Sequence, residues 1–547
     1  MCDSQAIGLT FPKNLSTLAL VVSALSACSQ SQAPTSSNFA AGTSTTSVQL
    51  EQLAYIKASN PGAGDQFGNG GELLGNSISL SGDGSTLAVG AFMESSGAAG
   101  INGDQDDDLV YGAGAVYVYA RNGNTWEQQA YIKASNPGDS DNFGYVTTLS
   151  ADGDTLVVSA NFEASNATGI NGDQSDDSIY GAGAVYVFIR DDRDNWSQQA
   201  YLKASNTGEI GSVDDLFSDG DQFGFSISLS ADGNKLAVGA IAEDSSSNRS
   251  NGDQLDNSAQ SAGAVYIFVR SNGDWTQQAY IKSSNPSRSD LFGYSVALDA
   301  GGNLLGVGVF QEDGSLAGTN EQQDDDLLDA GAVYVFSVSG DTWIQSAYLK
   351  GANAESNDVF GTAVAISDDG NTLIVTALDE DGATTGINST PVTDQQTENS
   401  TGAVYVFSRS EDGWSQTAYL KASNTGREDW FGVRVALSGD GNMLVVGAQL
   451  EDSAAQGVNS NEDDDTAQEA GAAYIFTRDD GVWSQVSYVK SSNSEAYDEF
   501  GGSIAISRDG GTIAVGARGE DSAVGGLNGN QDNNSASEAG AVYLFSY

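Results

Sequence analysis

The phrase Gly-Ala-Val-Tyr-Val-Phe, or a close variant of it, occurs seven times in this chain of 547 residues. Its copies begin at Gly114, Gly183, Gly263, Gly331, Gly402, Gly471 and Gly540, at a nearly constant spacing. Self-similarity at a fixed spacing means that one supersecondary unit is repeated, and this constrains the fold more than any single residue does.

The repeated unit contains the signals of four β-strands and no helical period. In the unit that begins at Asp141, strands A to D are predicted at residues 143–149, 155–160, 183–188 and 196–203. A hairpin signal, Asp152-Gly153, separates strands A and B, and the β-branched, apolar strand B suits a strand buried on both faces. Seven units of four antiparallel strands predict an all-β, seven-bladed β-propeller.

The two ends of the chain supply the parts of a single blade. The last unit stops after strand C at Tyr547, and a spare strand D sequence at 48–57 precedes the first Phe67-Gly68. We therefore expect the N-terminal strand to complete the seventh blade and close the ring, which removes the free sheet edges of a solenoid. The propeller would span residues 48–547.

The pair Phe-Gly opens strand A in every unit, and strand B ends in Val-Gly-Ala or a looser variant. The Phe-Gly pairs begin at Phe67, Phe143, Phe223, Phe292, Phe360, Phe431 and Phe500. This pattern resembles the FG-GAP repeat of integrin α-subunit propellers and their bacterial relatives. The resemblance implies the fold and says little about function, because propellers serve adhesion, catalysis and scaffolding alike. Integrin-type repeats often carry a calcium loop between strands A and B, but here that connection is a short turn, such as 81–85, and those calcium sites are not transferred.

The N-terminal segment has the features of an export signal. Residues 15–27 form an apolar run that is too short to span a bilayer and has the length of a signal-peptide core. The run ends in Leu25-Ser26-Ala27-Cys28, which resembles a bacterial lipobox. That resemblance implies a lipoprotein signal peptide over 1–27, acylation of Cys28, and a lipid anchor at the outer membrane or cell surface; an ordinary signal peptide is the alternative. The Ser/Thr-rich residues 28–47 are interpreted as a flexible tether.

Composition excludes several classes of function. The chain has 74 acidic and 21 basic residues, a formal net charge of −53, which disfavours nucleic acid and anionic membrane surfaces as partners. It has no histidine and only 2 cysteines. Ser-His-Asp and Cys-His catalysis, His-ligated zinc and a disulfide framework are therefore excluded.

The acid is concentrated in the loops between strands B and C, which hold about two thirds of the net charge. In an up-and-down blade these loops share one face of the ring. Their sub-motif Asn-Gly-Asp-Gln, followed by further acids, sets oxygen-bearing side chains at alternate positions, a pattern that can bind a hard cation such as Ca²⁺. The candidate calcium ligands are Asn102, Asp104, Asp106, Asp108, Asn171, Asp173, Asp177, Asp324, Asp326, Asp463 and Asp465. A solvated acidic face without bound calcium is the alternative.

Other residues also recur in every unit. An Asp two residues before Phe-Gly and a Glu just past strand B make carboxylate pairs of the kind that glycosidases use. A sevenfold feature suits structure better than one active site, so we expect this Asp to accept backbone N–H groups where strand A begins. The Lys that ends strand D is interpreted as protection of the outermost edge. The Trp of strand D is expected to pack between or around the blades.

Together these features favour a monomeric, non-enzymatic binding or adhesion module of the cell envelope. It would present an acidic, calcium-binding loop face to an extracellular protein or glycan ligand, and would meet the membrane only through its lipid anchor. The alternatives are a propeller glycosidase or polysaccharide lyase, and a passive envelope scaffold.

Overall fold

The computed structural model describes residues 49–69, 75–208, 220–314, 326–389 and 399–547. The strands of this part of the chain form seven antiparallel sheets, which confirms the predicted all-β, seven-bladed propeller. The predicted signal peptide and tether, with Cys28, lie outside the described residues, as does Asp324. The described residues contain no helix that is long and apolar enough to cross a membrane.

Blades 1 to 6 each have four strands, A to D, in chain order from the ring axis outward. Blade 1 comprises β2 (Ile78–Leu80), β3 (Thr86–Ala91), β4 (Ala115–Asn122) and β5 (Thr125–Ile132), and blade 2 comprises β6 (Thr147–Leu149), β7 (Thr155–Ala160), β8 (Ala184–Arg190) and β9 (Trp196–Leu202). Blade 3 comprises β10 (Phe223–Leu229), β11 (Lys235–Ala240), β12 (Ala264–Ser271) and β13 (Asp274–Ile281), and blade 4 comprises β14 (Ser295–Leu298), β15 (Leu304–Val309), β16 (Ala332–Ser339) and β17 (Thr342–Leu349). Blade 5 comprises β18 (Phe360–Ile366), β19 (Thr372–Ala377), β20 (Ala403–Ser410) and β21 (Gly413–Leu420), and blade 6 comprises β22 (Val435–Leu437), β23 (Met443–Ala448), β24 (Ala472–Asp479) and β25 (Val482–Val489).

Blade 7 is built from both ends of the chain, as predicted. Its sheet order is β26 (Phe500–Ile506), β27 (Thr512–Ala517), β29 (Ala541–Ser546), β1 (Glu51–Lys57) and β28 (Gly526–Leu527). The N-terminal strand β1 pairs antiparallel with β29, with Tyr55 opposite Tyr543 and Ile56 opposite Val542. It therefore takes the place that strand D occupies in the other six blades.

Adjacent blades touch backbone to backbone at the glycine that begins each Gly-Ala-Val-Tyr phrase. Gly114 has a positive φ of 77°, and a Cβ there would lie 2.0 Å from the carbonyl oxygen of Phe143 in the next blade. The N–H of Phe143 also donates to the carbonyl of Ala113 at 3.2 Å. The corresponding bond from Phe67 to Ala539 spans the junction between blades 7 and 1, so the ring is closed by the same contact that joins the other blades.

The close approach of adjacent blades also explains why Phe-Gly at strand A recurs together with Gly-Ala at the end of strand B. A Cβ on Gly90, near the end of strand B, would lie 2.0 Å from the carbonyl oxygen of Gly144 in the next blade. Gly144 has a positive φ of 97°, and strand A of blade 2 begins at Thr147 and not at the predicted residue 143. In blade 3 the equivalent Gly224 has a φ of 96°, and strand A begins at Phe223 with an irregular register between Phe223 and Ser226. Each glycine of the motif is needed where two blades approach.

The core lies between and within the blades. Phe143 packs edge-on against Tyr186, with ring centroids 5.3 Å apart. The strand D tryptophans are buried, and Trp196 donates its indole N–H to Gln129 of the preceding blade at 2.8 Å, which confirms the predicted packing between blades.

We predict that deleting residues 48–57 strongly destabilises the propeller. The deletion removes the buried side chains of Tyr55, Ile56 and Lys57 and exposes the edge of β29, which should lower the free energy of unfolding by on the order of 5 kcal/mol or more. Thermal unfolding of the truncated protein, compared with a control that begins at Val48, measures the effect. An unchanged melting temperature would contradict closure of the ring by β1.

Candidate functional site

In six of the blades, the described part of the B–C loop folds back over the outer strand of its own blade. In blade 1 the N–H of Asn102 donates to the carbonyl of Tyr131 at 2.7 Å, and Asn102 Oδ1 accepts the Tyr131 N–H at 3.0 Å. The Lys133 N–H donates to the carbonyl of Gly100 at 2.8 Å. The same side-chain clamp joins Asn171 to Tyr201, Asn251 to Tyr280, Asn388 to Tyr419, Asn459 to Tyr488 and Asn528 to Tyr55. The loop thus covers part of the edge that strand D would otherwise leave open.

The lysines at the end of strand D do not protect the sheet edge, and that interpretation is wrong. Lys133 is fully buried, and its Nζ lies 2.8 Å from Glu94 Oε2, on the Glu just past strand B. Residues two apart on a strand share one face, so Lys133 points inward together with Tyr131. Equivalent buried ion pairs are Lys57–Glu520, Lys203–Glu163, Lys282–Glu243, Lys421–Glu380 and Lys490–Glu451.

Glu94 is the centre of a buried polar cluster at the base of its loop. Its carboxylate accepts hydrogen bonds from Tyr131 Oη (2.9 Å), Lys133 Nζ (2.8 Å) and Asn60 Nδ2 (3.3 Å). Asn60 lies in the link from the preceding blade, and its Oδ1 accepts from Tyr117 Oη at 2.6 Å. Burial lowers the pKa of the Lys133 ammonium, and the adjacent Glu94 charge offsets part of that effect. The cluster therefore fixes the start of the loop and ties two blades together.

The Asp of the Asp-x-Phe-Gly motif accepts a backbone N–H, as predicted. In blade 2 the Gly138 N–H donates to Asp141 Oδ2 at 2.7 Å. The same bond is made by Asp65, Asp290, Asp358, Asp429 and Asp498. Burial raises the pKa of Asp141 to about 7, and the charge of Glu163 contributes to the rise. Both carboxylates of each recurring pair thus have structural partners within the ring.

Residues of the acidic sub-motif alternate between two roles. Gln105 faces the neighbouring link, where its carbonyl accepts from Asn60 Nδ2 at 2.8 Å and its side chain accepts from the Ser59 hydroxyl. The acids at alternate positions, Asp104, Asp106 and Asp108, are exposed. The other described candidates among the acids, all exposed, are Asp173, Asp177, Asp326, Asp463 and Asp465. Asn102 and Asn171 hold the clamp described above, with their side-chain oxygens engaged by Tyr N–H groups.

The exposed carboxylates form an array and not a metal cage. Asp104 Oδ1 accepts the N–H of Asp106 at 3.1 Å, and Asp173 Oδ1 accepts the Ser175 hydroxyl at 2.7 Å, which lowers the pKa of Asp173. Partial burial and then the nearby charge of Glu451 raise the pKa of Asp465. Nowhere in the described ranges do three Asp, Glu, His or Cys side chains lie close enough together to hold a metal ion.

A second candidate site lies on the ring axis and was not predicted. The seven A strands enclose a cavity of about 320 Å³, and Arg434 lies in its wall with only 6% of its surface exposed. The corresponding residues of blades 2, 3, 4, 5 and 7, two places after each Phe-Gly pair, are Val146, Ser226, Ser295, Ala363 and Ser503. The sequence contains a signal for this site, because aligning the repeats with one another shows one arginine where these other units have small, uncharged residues.

Replacing one member of a buried ion pair should cost far more than replacing both. We expect Lys133→Met, which leaves Glu94 buried without its counter-charge, to lower the free energy of unfolding by about 3–5 kcal/mol. The double variant Lys133→Met/Glu94→Gln should recover part of this loss. Urea denaturation measures both, with Arg427→Met as the matched control, because the Arg427–Glu428 pair is exposed. Equal losses for Lys133→Met and Arg427→Met would contradict a structural role of the cluster.

The buried Asp residues predict a propeller that is more stable in mild acid than in mild base. The pKa rises from the ordinary 3.8 to about 6 for Asp65, about 7 for Asp141, and about 8 for Asp358, chiefly through burial. Between these values and 3.8 the folded state binds more protons than the unfolded state, so its stability falls as pH rises. We expect the melting temperature to decrease from pH 5 to pH 8, and to decrease less in Asp141→Asn and Asp358→Asn. A melting temperature that rises over this range would refute the assignment.

Comparison with known proteins places these features in context. The sequence profile described as "FG-GAP repeat" matches residues 414–476 and 483–545, two units that each run from strand D of one blade through strand C of the next. A search of curated proteins gives no match.

Similar solved structures include a protein from Bacteroides uniformis ATCC 8492 described as a candidate 6-phosphogluconolactonase, with 10% identity and a TM-score of 0.42 over 76% of this chain and 85% of that one. Another is the periplasmic gluconolactonase PpgL of Pseudomonas aeruginosa, with 15% identity and a TM-score of 0.39 over 76% and 86%. Similarity of this degree carries no inference about function. The seven units in register and the closed ring make this chain a seven-bladed β-propeller, and two of its units match the FG-GAP repeat.

Proposed function

We propose that this chain is a non-catalytic binding protein of the cell envelope, lipid-anchored through Cys28, that presents its acidic B–C loop face to an extracellular protein or glycan. The observation that carries the proposal is the division of roles within the loop. Asn102 Oδ1 and Gln105 are engaged in hydrogen bonds to the blade and to the neighbouring link, whereas the side chains of Asp104, Asp106 and Asp108 stand exposed. The loop is thus built to hold carboxylates in solvent at fixed positions.

Rigid support favours a role in recognition. The blade 1 loop is held at the Glu94 cluster, at the Asn102–Tyr131 clamp and at the contact between Gln105 and Asn60. A surface that is ordered before binding loses less conformational entropy when a partner docks. The Asn–Tyr clamp recurs in blades 2, 3, 5, 6 and 7 within the described part of the chain, so a partner would meet several loops held in a fixed relation.

The charge of the face selects the class of partner. Carboxylates at Asp104, Asp106 and Asp108 attract a basic protein surface directly and steer its approach. An anionic glycan would need a bridging divalent cation. Calcium therefore enters the proposal as an exchangeable ion bound from solution by exposed oxygens, because the described loops do not form a cage around one. We assign no catalytic residue.

We expect the triple variant Asp104→Asn/Asp106→Asn/Asp108→Asn to lose most of its binding on protein and glycan arrays. The matched control, Asp192→Asn/Asp341→Asn/Asp412→Asn, removes three exposed charges from the turns between strands C and D on the opposite face, and should bind as the natural protein does. Each protein is assayed with calcium and with chelator. Equal losses in the two variants would show a general effect of net charge and would refute a site on the loop face.

Two further readouts separate the alternatives. Thermal unfolding with calcium and with chelator tests a structural ion, because an ion bound in the folded state alone raises the melting temperature. We expect a small shift in the natural protein and none in the loop variant. Release of sugars from a polysaccharide panel would overturn the non-catalytic assignment and favour a glycosidase or lyase. Mass spectrometry of the mature protein tests the anchor, since residues retained before Cys28 would refute it.

A further inference from the structure

The described lining of the cavity on the ring axis carries a net positive charge in an otherwise acidic protein. Its charged members are Asp368, Arg434 and Arg508. Arg508 and Asp368 form an ion pair and are both partly exposed, which leaves Arg434 as the net charge of the wall. The chain as a whole has a formal net charge of −53, so the positive charge of the cavity wall is a local feature. A positive charge at this position favours a negatively charged occupant.

Among the described residues, Arg434 has no acidic partner of the kind that other buried cations have. Its Nη1 donates to the carbonyl of Val433 at 2.6 Å and its Nη2 to the carbonyl of Gly75 at 2.9 Å. Its Nε is buried without a hydrogen-bond partner, and it forms no ion pair within the described part of the chain. By contrast, the buried Lys133 and Lys203 each contact a glutamate. A buried guanidinium without an anion is unfavourable, and burial lowers the pKa of Arg434 to about 10.

The rest of the wall is suited to a small polar molecule. Beside Arg434 the cavity is bordered by Phe225 and Tyr294, whose ring centroids lie 5.1 Å apart. Farther along the axis the wall presents the small, partly exposed side chains of Ser79, Thr148 and Ser228. A volume of about 320 Å³ exceeds that of a few waters, each of which takes roughly 30 Å³ in the liquid.

We propose that this cavity is a binding site for a small hydroxylated organic acid, whose carboxylate pairs with the Arg434 guanidinium and accepts its Nε–H. Guanidinium groups bind planar carboxylates through parallel N–H donors, which suits a monoanion better than a multiply charged phosphate opposite one positive charge. The hydroxyls of the ligand would meet Ser79, Thr148 and the backbone of the A strands, and its carbon skeleton would contact Phe225 and Tyr294. This site is independent of the acidic loop face.

The test is isothermal titration of the full chain with D-glucuronate and L-lactate, with glucose and inorganic phosphate as comparison probes. We expect at least one of the acids to bind with a Kd below roughly 1 mM, and glucose and phosphate to bind at least about tenfold more weakly. Arg434→Gln should weaken acid binding by about tenfold or more, and Arg434→Lys should retain part of it. Arg249→Gln removes an exposed arginine from a B–C loop and serves as the matched control, with binding unchanged.

Absence of acid binding by the natural protein, or equal binding by Arg434→Gln, would overturn the proposal. Phosphate binding tighter than that of both acids would show an inorganic anion site and would overturn the assignment to organic acids. If Arg434→Gln fails to fold, crystals of the natural protein soaked in D-glucuronate decide the question. Density for the carboxylate at the Arg434 guanidinium supports the site, and density only elsewhere refutes it.

Discussion

The approach of neighbouring blades, backbone against backbone, is the constraint on which the rest of the structure depends. In every unit the glycine just before strand C has a φ between 73° and 78°, and a Cβ on it would lie between 2.0 and 2.3 Å from a Phe carbonyl oxygen of the next blade. A side chain at Gly114 would therefore push blades 1 and 2 apart. The same close approach brings the link that carries Asn60 against the blade 1 loop, so the polar cluster around Glu94 can form between two blades.

Features that depend on local sequence were predictable. The seven copies of the repeat, the β-branched strand B, the Asp-Gly turns and the spare strand at 48–57 specified the number of blades and the closure by β1, because each is recognised from a short stretch of sequence. The role of Lys133 was not predictable in this way. Whether a residue at the end of an outer strand faces solvent or core depends on the loop that packs over it, and its partner Glu94 is 39 residues away. An isolated edge lysine and a buried, paired one have the same local sequence.

The acidic loop shows the same limit within one motif. The pattern of Asn-Gly-Asp-Gln predicted an acidic loop face, and Asp104, Asp106 and Asp108 are exposed. It did not reveal that Asn102 holds the edge of strand D, since the Tyr131 N–H that it accepts lies 29 residues on. Oxygen-bearing side chains serve equally as metal ligands and as backbone caps, so composition alone cannot separate the two uses. The two uses are distinguished in the structure by the group that lies opposite the side-chain oxygen.

Symmetry itself then becomes a guide to function. A group that recurs in every blade with equivalent partners has a task that every blade needs, which is to hold the ring together. The glutamate at the position of Glu94, which accepts a tyrosine hydroxyl in all seven blades, is such a group. The exposed acids of the B–C loops recur in position but vary in sequence. This is expected when the exposed surface tolerates substitution and the residues that hold the loops do not. Arg434 is the opposite case, a buried charge in one blade where the others have small residues. No structural requirement shared by the seven blades accounts for Arg434. Burying its guanidinium without an acidic partner among the described residues is unfavourable, and a serine at this position would avoid that cost. A binding function on the axis gives this single departure a physical reason.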